Sequence, residues 1–219
     1  MTRFDEVVQE ALRERADLAV LRPVVEKELL HHDILREMGN AGLLRDLVFM
    51  GGTCLRLCHG SPRLSEDLDF TTSLEPHLLM ERLSHLGPTL ETGMYNKYQL
   101  PVAVSEPKQT PGVVRTWKVR VTTRPERTDL PEQRIHIDVQ ALPARDAQPI
   151  LPRNPYRVEM GTSGLIIVAS SLSEILADKL IAVALRENRI KWRDVWDIAW
   201  LTQRDVVAER SLISRKAAD

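Results

Sequence analysis

The segment from Met50 to Phe70 constrains the fold more than any other part of the sequence. An apolar run leads into Gly51-Gly52-Thr53, and the segment closes with Asp-Leu-Asp-Phe. Side chains alternate across a strand, so Asp67 and Asp69 are predicted to project together while the two apolar residues enter the core. The segment therefore predicts a buried strand, a glycine turn into a short helix, and a second buried strand with two carboxylates on one face.

Those two carboxylates indicate a cation site. Like charges side by side repel each other unless something positive lies between them. Carboxylate pairs suit hard divalent cations, which take oxygen ligands. The glycines allow the backbone to approach a phosphate closely, with N–H groups at a helix start aimed at it. A phosphate-binding turn beside paired carboxylates indicates nucleotide chemistry.

Composition bounds the class of protein. The chain has 219 residues, of which 43% are hydrophobic and 28% charged, which is ordinary for a soluble globular protein. It holds no run of about 18 apolar residues and no secretory signal, so we expect no membrane partner and a cytoplasmic location. The two cysteines, Cys54 and Cys58, are predicted to be small buried side chains on one helix face.

The net charge of −1 excludes a general electrostatic attraction to nucleic acid, so an RNA partner would need a local basic patch. Two stretches are candidates, and solvated surface charge is the alternative reading of each. The first comprises Lys108, Arg115, Lys118, Arg120, Arg124, Arg127 and Arg134, and the second Arg186, Arg189, Lys191 and Arg193.

The order of predicted elements indicates an α/β (α+β) protein with a mixed central sheet, flanking helices and a helical C-terminal portion. Because the strands cluster in the middle of the chain, a doubly wound parallel sheet is not expected. We predict helices at 3–40 (interrupted at Pro23), 53–59, 75–91, from a cap at Ser173 to about Asn188, and from about 192. We predict strands at 45–50, 67–72, 166–169 and within 94–142, above all 113–121 and 134–139, and a proline-rich loop at 143–155.

Three further side chains are candidates for the chemistry. Asp138 lies on a strand and is either a third carboxylate for the metal site or a polar residue that faces water. Lys179 and Arg186 stand seven apart on a predicted helix and hence on one side of it, where both could contact triphosphate oxygens. Taken alone, a helical lysine is more often a solvated surface residue. Asp194 and Asp197 are interpreted as charges near a helix N-terminus and as an i,i+3 polar pair.

At residues 51–70 the sequence GGTCLRLCHGSPRLSEDLDF resembles the signature of the AbiEii/AbiGii-type (MenT-like) nucleotidyltransferase toxins, within the DNA polymerase beta-like superfamily. The resemblance continues in the strand that carries Asp138, in SEILADKLIAVALR and in RDVWDIAWL, so it spans roughly residues 45–201. It implies a bilobed fold with a nucleotide-binding cleft. We accordingly expect a nucleotidyltransferase core at 1–150 and a mostly helical lobe at 151–219 that completes the cleft.

The resemblance also implies roles for individual residues. Gly51, Gly52 and Thr53 would hold the triphosphate, and Arg63 and Ser65 would brace the loop. Asp67 and Asp69 would ligate metal, with Asp138 as a third ligand at a position that varies in the family. Lys179, with Arg186, would contact phosphate, and Asp194 would orient the acceptor or the lysine.

The implied reaction is transfer of a nucleoside monophosphate from an NTP with two Mg²⁺ ions, to a tRNA 3′ end in the MenT-like members, which stops translation. A cognate antitoxin is then an expected partner. The resemblance also implies more helix after RDVWD, in many relatives, than this chain offers. Two other functions stay open: modification of a protein side chain or small molecule, and non-catalytic nucleotide binding.

Overall fold

The computed structural model describes residues 2–108, 112–127, 129–186 and 190–218. The helices are α1 Arg3–Glu14, α2 Arg22–Asn40, α3 Gly51–Leu57, α4 Pro76–Arg82, α5 Leu86–Tyr98, α6 Leu172–Leu185, α7 Trp192–Thr202 and α8 Arg210–Ala218, with a 3₁₀ helix at Ala16–Leu21. The strands are β1 Val48–Met50, β2 Leu68–Thr71, β3 Val102–Ser105, β4 Val114–Val121, β5 Gln133–Gln140, β6 Ala147–Ile150 and β7 Ile167–Ser170.

The seven strands form one mixed sheet in the order β3-β4-β5-β2-β1-β7-β6. Two neighbouring pairs, β2–β5 and β1–β7, run parallel, and the others run antiparallel. The predicted mixed sheet with flanking helices is therefore confirmed. The parallel pairing of β2 with β5 matters for the site, because it sets the strand of Asp69 directly beside the strand of Asp138.

Alternation along β4 and β5 separates a core face from a polar face. Trp117, Val119 and Val121 on β4, and Ile135, Ile137 and Val139 on β5, are all buried. Helices α2 and α5 contact this part of the sheet, at β5 and β3 respectively. Asp138 belongs to the other set of positions, so the alternation that buries its neighbours leaves its carboxylate off the core.

The first half of the chain departs from the predictions in two places. The helical lead-in breaks into α1, the 3₁₀ helix and α2, with Pro23 in the first turn of α2, where its missing N–H is tolerated. The helix predicted at 75–91 is two helices, α4 and α5, and α5 runs on to Tyr98 where strand was predicted. Leu86, Leu90, Met94 and Tyr98 recur every four residues and are buried, which is a helical spacing.

The predicted loop at 143–155 contains a strand, β6, which includes Pro149. Proline cannot donate to a sheet ladder, but β6 is the edge strand beside β7, where one side needs no partner. The assignment of this stretch as a loop was therefore wrong for residues 147–150.

The cap of α6 is Ser171, not Ser173 as predicted, because the Ser171 hydroxyl accepts the N–H of Glu174. Helix α6 ends at Leu185, and the predicted end at Asn188 lies outside the described residues. A further helix, α8, follows α7 and contacts α6.

The predicted division at residue 150 stays a prediction. Strand β7, which lies in the predicted second segment, pairs with β1, which lies in the first.

Cys54 and Cys58 are buried and unbridged, as expected. Within the described ranges, no helix has the length and apolar character needed to cross a membrane.

Candidate active site

A cavity of about 470 Å³ lies where the polar ends of β2 and β5 meet helices α6 and α7. Most of the charged residues predicted for the site converge on it. The residues of that prediction that line the cavity are Gly51, Asp69, Asp138, Lys179, Arg186 and Asp194.

Gly51 begins α3 directly after β1 and packs against a site carboxylate. Its φ of +77° lies in the left-handed region, which favours glycine. A Cβ at this position would lie 2.3 Å from Oδ2 of Asp69, far inside van der Waals contact. The glycine therefore serves two purposes at once, the turn from strand to helix and the close approach of Asp69.

Asp69 and Asp138 are neighbours across β2 and β5, where their Cα atoms are register partners. The Thr116 hydroxyl donates to Oδ1 of Asp138 at 2.5 Å and holds that carboxylate in place. Burial, then the negative charge of Asp138 and more weakly that of Asp67, raises the pKa of Asp69 to about 6, against the opposing positive charge of Lys179. The arrangement is an acidic pair that repels itself and would bind a cation.

Asp67 lies in the loop before β2, and Thr53 lies on α3. Oδ1 of Asp67 accepts the backbone N–H of His136 at 3.2 Å and lies 3.3 Å from Nδ1 of the same residue. The Thr53 hydroxyl donates to the backbone carbonyl of Asp67, and the Thr53 side chain is buried. Both contacts fix the entry of the chain into β2, and thereby the position of Asp69.

Two aspartates on α7 organise the cations of the site. Asp194 accepts the Lys179 ammonium at 2.8 Å with one oxygen and the Arg186 guanidinium at 2.8 Å with the other. Although burial opposes it, these hydrogen bonds keep the pKa of Asp194 below its ordinary value. Asp197, which is fully buried, accepts Lys179 at 2.9 Å and a forked pair of bonds from Arg63 at 2.6 and 2.8 Å.

Arg63 connects this network to the glycine turn. A Cβ on Gly52 would lie 2.4 Å from Nη2 of Arg63 and 2.8 Å from Oγ of Ser65. The loop that carries Arg63 and Ser65 thus packs directly on the first turn of α3. Gly51 makes room for Asp69, and Gly52 makes room for Arg63.

Sequence reasoning missed several residues of the site. Asp197 was predicted as a helix N-terminal charge and as an i,i+3 polar pair with Asp194, with no role in the site. Arg193, which lines the cavity, was assigned only to a basic patch. Asp178 and Lys216 also line it, with the Lys216 ammonium 2.9 Å from Oδ1 of Asp178. Lys216 lies on α8, and no local signal connects that helix to the site.

The residues present fit a magnesium ion. Among the described residues, no group of three or more His, Cys, Asp and Glu side chains could hold a metal unaided. Mg²⁺ characteristically binds one or two carboxylates and completes its shell with substrate phosphates and water. Asp69 and Asp138 supply such a pair at the cavity wall, and their mutual repulsion favours a cation beside them.

Comparison with known proteins identifies the family. A family model described as "Nucleotidyl transferase AbiEii toxin, Type IV TA system" matches residues 33–219. No curated protein matches the chain.

Among solved structures, MenT4, a nucleotidyltransferase toxin from Mycobacterium tuberculosis, is similar with a TM-score of 0.67 and 17% identity, over 96% of this chain and 68% of that one. JHP933 from Helicobacter pylori gives a TM-score of 0.53 at 21% identity, over 82% of this chain and 66% of that one. A putative nucleotidyltransferase from H. pylori gives 0.54 at 21% identity, over 82% and 68%. At these identities the likeness concerns the fold, and this chain spans about two thirds of the length of each.

The fold, the convergence of acidic and basic side chains on one cavity, and the family match all lead to one class of enzyme. Since the family model covers most of the chain, the protein belongs to the AbiEii family of toxin–antitoxin nucleotidyltransferases.

Proposed function

We propose that this chain transfers a nucleoside monophosphate from an NTP to an RNA acceptor, the 3′ end of a tRNA, and so blocks translation. The observation that carries the proposal is the meeting of Asp69, Asp138 and Lys179 in a single cavity beside the glycine turn. A triphosphate needs both kinds of group, cations for its oxygens and carboxylates for its metal ions.

Cations on α6 and α7 are proposed to bind the triphosphate. Lys179, Arg186 and Arg193 line the cavity, and the backbone of Gly51 lies at its wall. Because Asp194 and Asp197 hold the Lys179 ammonium from two sides, Asp194 is proposed to orient the lysine. Gly52, Thr53, Arg63 and Ser65 are proposed to keep the glycine turn in the shape that admits a phosphate.

Asp69 and Asp138 are the proposed ligands of Mg²⁺, with Asp67 as the third carboxylate and a two-metal site as the expected arrangement. The chemistry that bound magnesium supplies is charge neutralisation at the transferred phosphate and a lowered pKa for the attacking hydroxyl. The protein's own part is positional. Thr116 holds Asp138, Gly51 admits Asp69, and the α7 aspartates aim Lys179 at the same space.

The test is a labelling reaction. Purified protein is incubated with each α-³²P-labelled NTP, Mg²⁺ and total RNA, with EDTA in parallel, and a gel resolves RNA from protein. We expect label in the tRNA bands with at least one NTP and none with EDTA. Label in a protein band would instead support modification of a side chain, and no label with any NTP would contradict transferase activity under these conditions.

The remaining features of the proposal follow from this reaction. Since tRNA and NTPs are cytoplasmic, the enzyme is proposed to act there, and a cognate antitoxin is proposed to limit its toxicity. Translation extracts treated with the protein and unlabelled NTP should lose activity and regain it when untreated tRNA is added.

A further inference from the structure

The polar face of β4 and β5 carries a group of exposed cations that the site described above does not use. Lys118 and Arg120 on β4 and Arg134 on β5 are exposed, while the residues that alternate with them are buried. We propose that these three side chains, the basic track, bind the sugar–phosphate backbone of the RNA acceptor and guide it to the cavity. The proposal rests on the function proposed above and adds the surface that the acceptor occupies.

The fold selects these three from the seven cations of the first basic stretch. Arg124 pairs with Glu26 and Asp5, and Arg127 pairs with Asp129. Arg115 donates to the backbone carbonyls of Gly112 and Val114. Lys108 follows β3 and lies on neither of the two strands. Lys118, Arg120 and Arg134 share the polar face.

Two of the three face each other at an electrostatic cost. In the antiparallel register, Arg120 is directly opposite Arg134. Like charges directly opposite each other destabilise a sheet. An acidic neighbour offsets this only in part, since Glu132 lies 3.8 Å from Arg120 and both side chains are largely exposed. Such a pair is the basic counterpart of Asp69 and Asp138, and an anion would satisfy it.

The basic track leads to the catalytic carboxylates along the strands themselves. Arg134, His136 and Asp138 alternate on one face of β5, and Lys118 lies opposite His136. At about 3.3 Å per residue, Arg134 lies about 13 Å along the strand from Asp138. A bound RNA backbone would therefore run over the open sheet face with its terminal hydroxyl directed at the cavity.

The experiment measures RNA binding rather than turnover. Fluorescence anisotropy follows the binding of fluorescein-labelled bulk tRNA to the full chain between 50 and 300 mM KCl. The variant is Lys118→Gln/Arg120→Gln/Arg134→Gln. The matched control is Arg13→Gln/Arg157→Gln/Arg210→Gln, which removes three exposed cations elsewhere and so changes the net charge equally. Thermal unfolding verifies that both variants fold.

We expect the track variant to bind tRNA at least about 10-fold more weakly than the control at 50 mM KCl. Its slope of log K against log salt should be shallower by about 2 to 3, because each phosphate contact contributes about 0.7 to 0.9. Its unfolding midpoint should equal or exceed that of the wild type, since a like-charge pair is removed.

If the two triple variants bound tRNA with equal affinity and equal salt dependence, the proposed role of the basic track would be wrong. The same would follow if tRNA binding by the wild type did not depend on salt. The labelling gel reports separately on the proposed function, because it detects transfer to RNA whichever surface holds the acceptor. Label in RNA together with an unaffected track variant would therefore refute only the track.

Discussion

Asp197 is a single buried carboxylate that faces two cations, the guanidinium of Arg63 and the ammonium of Lys179. Arg63 packs against Gly52 at the start of α3, and Lys179 lines the cavity from α6. Through these contacts one side chain on α7 sets the position of two other elements. Removing only one partner of a buried ion pair strongly destabilises a protein, because the remaining charge stays buried without a counter-charge.

Replacing Asp197 with asparagine keeps the volume and removes the charge. We expect Asp197→Asn to lower the free energy of unfolding by about 3 kcal/mol, because two partly buried cations lose their shared counter-charge. Urea unfolding at pH 7 measures the loss. The control is Asp17→Asn, which removes a carboxylate from a solvent-exposed pair with Arg15 and should leave the free energy of unfolding close to that of the wild type. Equal losses in the two variants would contradict the role given to Asp197.

His32 is buried, and its imidazole contacts Thr162, a residue distant in sequence. Its Nδ1 lies 3.1 Å from the Thr162 hydroxyl. Burial, and then the positive charges of His31, Lys97 and Arg56, lowers the pKa of His32 to about 3. Above pH 6.5 both folded and unfolded chains carry it neutral. As the pH falls below 6.5, His32 binds a proton in the unfolded chain but stays neutral in the folded chain. The free energy of unfolding therefore decreases from pH 6.5 towards pH 3.

We expect the titration of His32 to lower the free energy of unfolding by about 2 kcal/mol as the pH falls from 7 to 5. The comparison is His32→Asn, which places an amide near the position of Nδ1 and does not titrate. Urea unfolding of both proteins at the two pH values cancels the contributions of all other groups. The wild type should lose about 2 kcal/mol more than the variant, and an equal loss in both would show that His32 titrates normally.

The first turn of α3 is the element on which the site is built. Gly51 and Gly52 begin α3 directly after β1, and β1 pairs with the strand that carries Asp69. Neither position has room for a side chain, since a Cβ would meet Asp69 in one case and Arg63 in the other. The first turn of α3 therefore packs against both the Asp69 carboxylate and the Arg63 guanidinium.

Two alanine substitutions separate backbone strain from this packing. Gly51 and Gly164 have φ of +77° and +82°, but a Cβ at Gly164 would meet nothing within 4 Å. Gly164→Ala should therefore lose only the strain, about 1 kcal/mol, and keep full transferase activity. Gly51→Ala should lose more stability and displace Asp69, with at least about a 100-fold loss in transfer rate. Urea unfolding and labelling rates measure the two effects, and similar behaviour of the two variants would be the contrary result.

How far an element could be predicted depended on how local its signal was. Strands β4 and β5 were predicted within about a residue, because strict alternation of apolar residues in each is a local pattern. Strand β6 was missed because Pro149 argues against a strand until the sheet order makes it an edge. Ser173 was predicted as the cap because Glu174 beside it gives the first turn a negative charge, and the cap is identified as Ser171 only by the hydrogen bond from the Glu174 N–H to the Ser171 hydroxyl.

The whole sheet creates contacts that no local pattern contains. Asp69 and Asp138 are far apart in sequence and meet because β2 and β5 pair in parallel. Residue types and alternation predicted both carboxylates and offered Asp138 as a third ligand of the same metal site, with a polar residue that faces water as the alternative. The link between Arg63 and Asp197 joins a loop to a helix near the end of the chain, so the sequence offered no reason to connect them.

The carboxylates at the glycine turn are proposed to form the catalytic centre of a nucleotidyltransferase. The most direct measurement is the single-turnover rate of nucleoside monophosphate transfer from α-labelled NTP by Asp69→Asn, with Asp17→Asn as the control. Asp69→Asn removes one negative charge from the proposed metal site and keeps the side-chain volume. We expect its rate to fall by at least about 100-fold, while the control transfers at the wild-type rate. A near-normal rate in Asp69→Asn would contradict the account.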